Sequence, residues 1–174
     1  MGRIYFMLFL IVGTAICAAS VAFASTVQDE SLHGVSNVAT SVVYNDPSFD
    51  AFRSLSCKMV GEKISLSSVP TVTTYFITTA DACGWGAALG PIWLIRVSEG
   101  VASVLLSIGG YSVDVLGDER NGMRSVKIGS GTAGRTAFVL YRFDGKKYVL
   151  KKKRRVIKMC RVIYRSTSKH CALQ

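Results

Sequence analysis

Histidine is scarce in this chain: two of 174 residues, His33 and His170. A hydroxyl or thiol nucleophile needs a base within hydrogen-bond reach. With one histidine near each end, a Ser-His-Asp arrangement is not expected. Cysteine is also sparse, with five in all and no C-x-x-C pair. Structural zinc needs closely spaced Cys and His ligands, and only the adjacent His170-Cys171 offers any. No metal and no cofactor is therefore expected. Acids are missing altogether from residues 151–174, which hold nine Lys or Arg. Long crossovers, which parallel strands would need, are missing too.

The N-terminus lacks charge beyond its first residues. Met1–Arg3 gives a short basic start, and residues 4–21 are uncharged and mostly apolar. Ala22-Phe23-Ala24 then sets small residues at the −3 and −1 positions before Ser25. This is the layout of a secretory signal peptide with an A-x-A cleavage site. The expected location is periplasmic or secreted. An uncleaved anchor is the alternative, since the run approaches the length that spans a bilayer. Cys17 follows Ile16, which is too large to precede a lipidated cysteine, so Cys17 reads as one more apolar residue of the run.

The expected organisation follows. Residues 1–24 are a signal peptide and 25–45 a flexible leader. Residues 46–156 form a single α+β domain, and 157–174 a basic tail. Export leaves Cys57, Cys83, Cys160 and Cys171, an even count that favours two disulfides. Of three pairings, Cys83 with Cys160 and Cys57 with Cys171 is preferred.

The formal net charge is +10, yet residues 25–150 carry eleven basic and eleven acidic side chains. The basicity is thus a tail on a neutral domain, which argues for a local anionic contact. Lys151, Lys152, Lys153, Arg154 and Arg155 would contribute about 1 kcal/mol each near an anionic membrane. The tail reads first as a solvated end, then as a binder of anionic lipid or polymer. Nucleic acid ranks last, because no groove-reading element or stacking platform accompanies the charge. The ending Cys171-Ala172-Leu173-Gln174 has the form of a prenylation box, but a secretory route forbids that modification.

Asp46 can cap a helix and Pro47 suits its first turn. Phe49, Phe52, Leu55, Met59 and Val60 recur at near-helical spacing, so a short helix is expected near 47–60, ended by Gly61. From Pro70 the texture becomes β-branched and aromatic. Runs at 71–79, 91–97, 101–108, 111–116, 125–128, 136–143 and 148–150 alternate with turn signals. Asn121-Gly122 and Asp144-Gly145 are the strongest hairpin cues. The expected fold is α+β and mostly β: an antiparallel meander sheet of about six strands with a short N-terminal helix on one face. Gly129–Gly134 is glycine-rich but lacks the lysine of a phosphate loop, and reads as a flexible hairpin connection.

Several of these segments form a pattern. Cys83-Gly84, Gly90-Pro91-Ile92-Trp93, Gly109-Gly110-Tyr111, Asn121-Gly122 and Tyr141–Tyr148 (YRFDGKKY) resemble a pattern in small exported bacterial proteins of unknown function. The closing half is similar to one blade of an FG-GAP-type propeller, in which an FDGK-Y hairpin closes the blade. That resemblance implies hairpin geometry. It does not carry a calcium site here, because Arg120 stands in the loop 118–122 and Arg124-Ser125 replaces the acid such a loop needs.

Trp93 lies within a strand pattern and reads as core. Trp85 sits between two glycines, either as an anchor for a partner protein or glycan ring, or folded back over the sheet end. A bridge at Cys83 would rigidify its loop, which lowers the entropy cost of binding. The expected function is a non-enzymatic exported protein of the bacterial envelope that contacts a protein partner, of inhibitor, immunity or accessory type. The alternatives are an envelope-surface binder through the basic tail, and a hydrolase using Asp114 with Asp118 or Glu119.

Overall fold

The computed structural model describes residues 24–86, 89–132 and 135–154. Two antiparallel sheets and a thin helical layer make up the fold. The first sheet has four strands in sequence order: β2 (Met59–Lys63), β3 (Val72–Thr79), β4 (Gly90–Ser98) and β5 (Val101–Gly110). The second has five, in the order β1 (Ala24–Thr26), β6 (Ser112–Arg120), β7 (Met123–Thr132), β8 (Arg135–Phe143) and β9 (Tyr148–Arg154).

The meander connectivity holds within each sheet, but the single sheet of about six strands does not. The chain changes sheets at Gly109-Gly110-Tyr111, where only Tyr111 separates β5 from β6. A Cβ on Gly110 would stand 2.9 Å from the Gly129 carbonyl oxygen, so the corner requires glycine. Folding over at this corner lets one sheet cover the other. A lone sheet would leave an apolar face in water.

The four-stranded sheet is buried on both faces. Phe76 and Leu94 look toward the five-stranded sheet, where Val113, Val126, Ile128 and Phe143 complete a core. Ile77, Trp93 and Ile95 look the other way, onto Ala39, Val43 and Phe49. This double burial explains why β4 reads PIWLIRV, an apolar run without alternation.

The helical layer departs from expectation. Its main helix, α1 (Asn37–Tyr44), lies in the segment read as a flexible leader, which also contributes β1. Ala39 and Val43, four residues apart, are the buried contacts of α1. The helix expected over 47–60 is instead a 3₁₀ turn at Pro47–Phe49 running into α2 (Asp50–Arg53). Asp46 does cap it, accepting from the Ser48 amide at 2.9 Å. Ser56 takes φ 52°, which ends helical geometry, and Met59 and Val60 belong to β2. Met59 reaches the same core as Phe49, but from a strand.

Turn chemistry behaves as the sequence suggests. Asn121 and Gly122 take φ 53° and 76°, and Glu99 and Gly100 take 52° and 77°. Both pairs suit tight hairpins. At the β8–β9 turn the Asp144 carboxylate accepts from the Lys146 and Lys147 amides at 2.7 and 2.8 Å. Those bonds hold its carboxyl below the usual range. Tyr148 donates to the Arg124 carbonyl at 2.6 Å, and burial pushes its phenol well above the ordinary value. Gly129–Gly131 is not a loop: it lies in β7, paired with Thr136–Phe138 of β8.

Candidate functional site

The connection from β3 to β4 builds the most distinctive site among the described residues. Thr79 closes β3, and the chain then turns through Ala80–Ala82, where the backbone leaves right-handed helical geometry at Asp81. Asp81 and Ala82 both take left-handed backbone angles, φ 54° and 51°. Neither is glycine, so each conformation costs about 1–3 kcal/mol and persists only where its surroundings impose it. Here they do. The Ala80 amide donates to the Lys58 carbonyl at 2.8 Å, and the Cys83 amide to the Ala80 carbonyl at 2.9 Å. Cys83 is disulfide-bonded to Cys57, with Cα atoms 5.6 Å apart.

This bridge corrects the preferred cysteine pairing. Cys57 and Cys83 pair with each other, not with Cys171 and Cys160. The reason is the β2–β3 hairpin, whose register sets Met59 opposite Thr79 and so brings the two flanking cysteines together. Cys160 and Cys171 lie outside the described residues.

Trp85 is fixed by this loop. Its indole N–H donates to the Thr79 hydroxyl, which itself donates to the Cys83 carbonyl at 2.9 Å. Its ring lies flat on Gly90, where a Cβ would come within 2.5 Å of the indole carbons. Trp85 is thus half-buried and packed against the inter-sheet core. One part of it lines a cleft of about 310 Å³. The other walls are Val27, Leu32, Val60 and Ala80, with Asp29, Glu30 and Asp81 around them. None of its lining residues is Lys, Arg or His. Asp29 accepts from the Ser31 amide at 2.8 Å, and the Ser31 hydroxyl and amide together hold its carboxyl below the usual range.

No family model, curated protein or solved structure matches the chain.

The cleft's own lining is acidic on one part and aromatic on another. Among the described residues no three His, Cys, Asp or Glu side chains converge to hold a metal ion. The three acids of the cleft are spread around it. Carboxylates beside an aromatic wall suit a cationic group, which the open part of an indole ring also attracts. A second, more open groove of about 400 Å³ lies by Phe52, Pro91, Trp93 and Ile108, and is less polar.

The other sequence-derived candidates fall elsewhere. Lys151, Lys152, Lys153 and Arg154 lie in β9, the last strand of the five-stranded sheet, with Lys152 opposite Leu140 and Arg154 opposite Phe138. They are at the far edge from β1 and the cleft. Arg155 lies outside the described residues. Asp114 pairs with Lys127 at 2.6 Å. Asp118 pairs with Arg142 at 3.0 Å and accepts from Ser125 at 2.8 Å. Glu119 accepts from Ser68 at 2.7 Å. His33 is a backbone bridge to Gly61, with N···O distances of 3.2 and 2.9 Å.

Asp29, Glu30 and Asp81 were not singled out by sequence. Their separation along the chain hides them. They meet because β1 and β3 sit in different sheets and the chain after β1 bridges to β2 at His33 and Gly61. The pair Asp29-Glu30 on the polar side of Val27 was the only available signal.

Proposed function

We propose that this chain is an exported, non-enzymatic binding protein of the bacterial envelope. It acts through protein–protein contact at the Trp85 cleft, as an inhibitor, immunity or accessory factor. One observation carries this reading: an aromatic wall held in place by a disulfide, a buried hydroxyl and a strained turn. Rigid aromatic surfaces lose little entropy on binding and make effective anchors. The Cys57–Cys83 bridge also suits an oxidising compartment, in keeping with the signal-like segment 1–24. On this reading cleavage precedes completion of the sheet, because Ser25 is 3 % exposed and paired with Val113. The resemblance to small exported bacterial proteins, and of the Phe143–Tyr148 hairpin to an FG-GAP blade, belongs to the same proposal.

The test compares the processed protein with Trp85→Ala as immobilised bait in envelope extracts. Quantitative mass spectrometry should find a protein retained by the first and reduced at least tenfold with the second, at unchanged folding by circular dichroism. Equal retention by both would overturn the reading. The run Lys151–Arg154 on an edge strand favours a second reading, binding of anionic lipid or polymer. That reading requires co-sedimentation with phosphatidylglycerol vesicles that falls steeply with salt. The carboxylates of the hydrolase reading are each engaged by a neighbour, which favours a structural duty for them.

A further inference from the structure

A sheet edge presents unpaired amide and carbonyl groups, and proteins blunt such edges by keeping them short or charged. The two sheets end on four strands, β1 and β9 in one, β2 and β5 in the other. β1 has three residues. β9 carries Lys151, Lys152, Lys153 and Arg154. β2 has five residues with Glu62 and Lys63 among them, and His33 already bridges to its Gly61. β5 is neither short nor charged. It runs ten residues as VASVLLSIGG, and among the described residues no strand pairs with its outer edge. The neighbouring α1, NVATSVVY, is also uncharged and exposes Val38 and Tyr44.

One face of β5 is divided between that helix and a hollow. Val104 pairs with Ile95 and Ser107 with Trp93, and both partners belong to the core beneath the helical layer. The bulge between them, at Leu105, keeps Ser107 and Gly109 on the same face as Ala102 and Val104. Ala102 and Val104 pack in the cluster that holds Ala39 and Val43 of α1. At Ser107 and Gly109 the side chains are small, and a Cβ on Gly109 would meet nothing within 4 Å. The groove of about 400 Å³ opens there, lined by Phe52 and Trp93. Helix and groove thus share one face, at opposite ends of one strand.

We propose that β5 pairs antiparallel with β5 of a second copy of this chain, about a two-fold axis near Leu105. Two four-stranded sheets then become one of eight strands. A two-fold contact must be self-complementary, and this one is. It sets the exposed apolar side of α1 from each copy beside the groove of the other. The paired edges supply backbone hydrogen bonds, and the groove takes apolar side chains, as in strand addition generally. No like charges meet, because neither α1 nor β5 carries any. A foreign strand would form the same backbone bonds, but only a second copy brings a helix placed to meet the groove. The Trp85 cleft stays open, because its wall at Val60 lies on β2, the opposite edge of that sheet. The pairing therefore does not depend on reading the cleft as a recognition surface.

Sedimentation equilibrium of the processed protein, at tens to hundreds of micromolar, should fit a monomer–dimer equilibrium. Hydrogen exchange read by mass spectrometry then locates the contact. Peptides covering 101–110 should exchange at least fivefold more slowly in the dimer than in the dilute monomer, and those covering 148–154 at the same rate. A lysine on an edge strand opposes pairing. Ser107→Lys, at an exposed position, should weaken the dimer at least tenfold with circular dichroism unchanged. Leu150→Lys, exposed on β9, should leave it as it was. Should Ser107→Lys fail to fold, exchange in the unaltered protein decides alone. A monomer at every concentration would overturn the proposal, as would a dimer protected elsewhere than 101–110 or weakened equally by both variants. A monomer whose 101–110 peptides gain protection only when envelope extract is added would give the edge to a foreign strand, which also overturns self-pairing.

Discussion

Trp93 and Trp85 sit eight residues apart, and each donates its indole N–H to a hydroxyl, yet they are held by different means. Trp93 is 1 % exposed, donates to Ser48 at 2.8 Å, and is flanked by Phe49 and Phe52 at 6.0 and 5.8 Å between ring centroids. Side chains from a strand and the helical layer hold it. Trp85 is half-buried against a glycine backbone, and its loop is fixed by a bridge and a strained turn. Packing fixes the first and constraint fixes the second. A surface held by constraint can stay open on one side, and that is what a recognition site needs.

The largest expected effect tests the packed member. Trp93→Ala should cost about 3–5 kcal/mol, as for large aromatic truncations in a core. Trp85→Ala should cost only about 1–2 kcal/mol, read from urea midpoints, because part of its ring is already in water. Equal costs would break the comparison. Next comes the bridge. It closes a loop with sequence separation 26, and removing it should cost about 3.5 kcal/mol by loop entropy. The Cys57→Ser, Cys83→Ser double variant sharpens the contrast by spectroscopy. Emission from Trp85 should shift to the red while that of Trp93 holds, since only Trp85 depends on the bridged loop. Matching shifts from both would show that the bridge serves the whole core.

The strands from β3 onward were legible because β-branched runs and glycine turns are local signals. Asn121-Gly122 and Glu99-Gly100 set their hairpins through their own left-handed backbone angles. The split into two sheets was not legible, since Gly109-Gly110 reads the same as a turn or as a corner. What decides it is the approach of Gly110 to Gly129, a contact made across the fold. β1 is short and draws its partner from far along the chain, and β2 is only five residues long, so periodicity could not find them. Met59 and Val60 fell by accident on a helical spacing. At the site, Trp85 and Cys83 stood out as a rare residue between glycines and a candidate bridge. The acids around the cleft did not, because their grouping exists only once the sheets are stacked.

The smallest effect concerns the strained turn. Ala82 holds φ 51° with a methyl group that disfavours the left-handed region, whereas glycine adopts it freely. In Ala82→Gly, relief of that strain opposes the extra chain entropy glycine brings to the unfolded state, about 0.5–1 kcal/mol. The net change should therefore lie between zero and about 1 kcal/mol of stabilisation. The same substitution at the buried Ala39 of α1 should destabilise by about 1 kcal/mol, the helix propensity difference. Opposite signs at the two alanines would place the stored strain in the Trp85 turn and none in the helical layer. A loss at Ala82 as large as that at Ala39 would remove strain from the account of how Trp85 is held. The bridge and the Thr79 hydroxyl would then be its remaining supports.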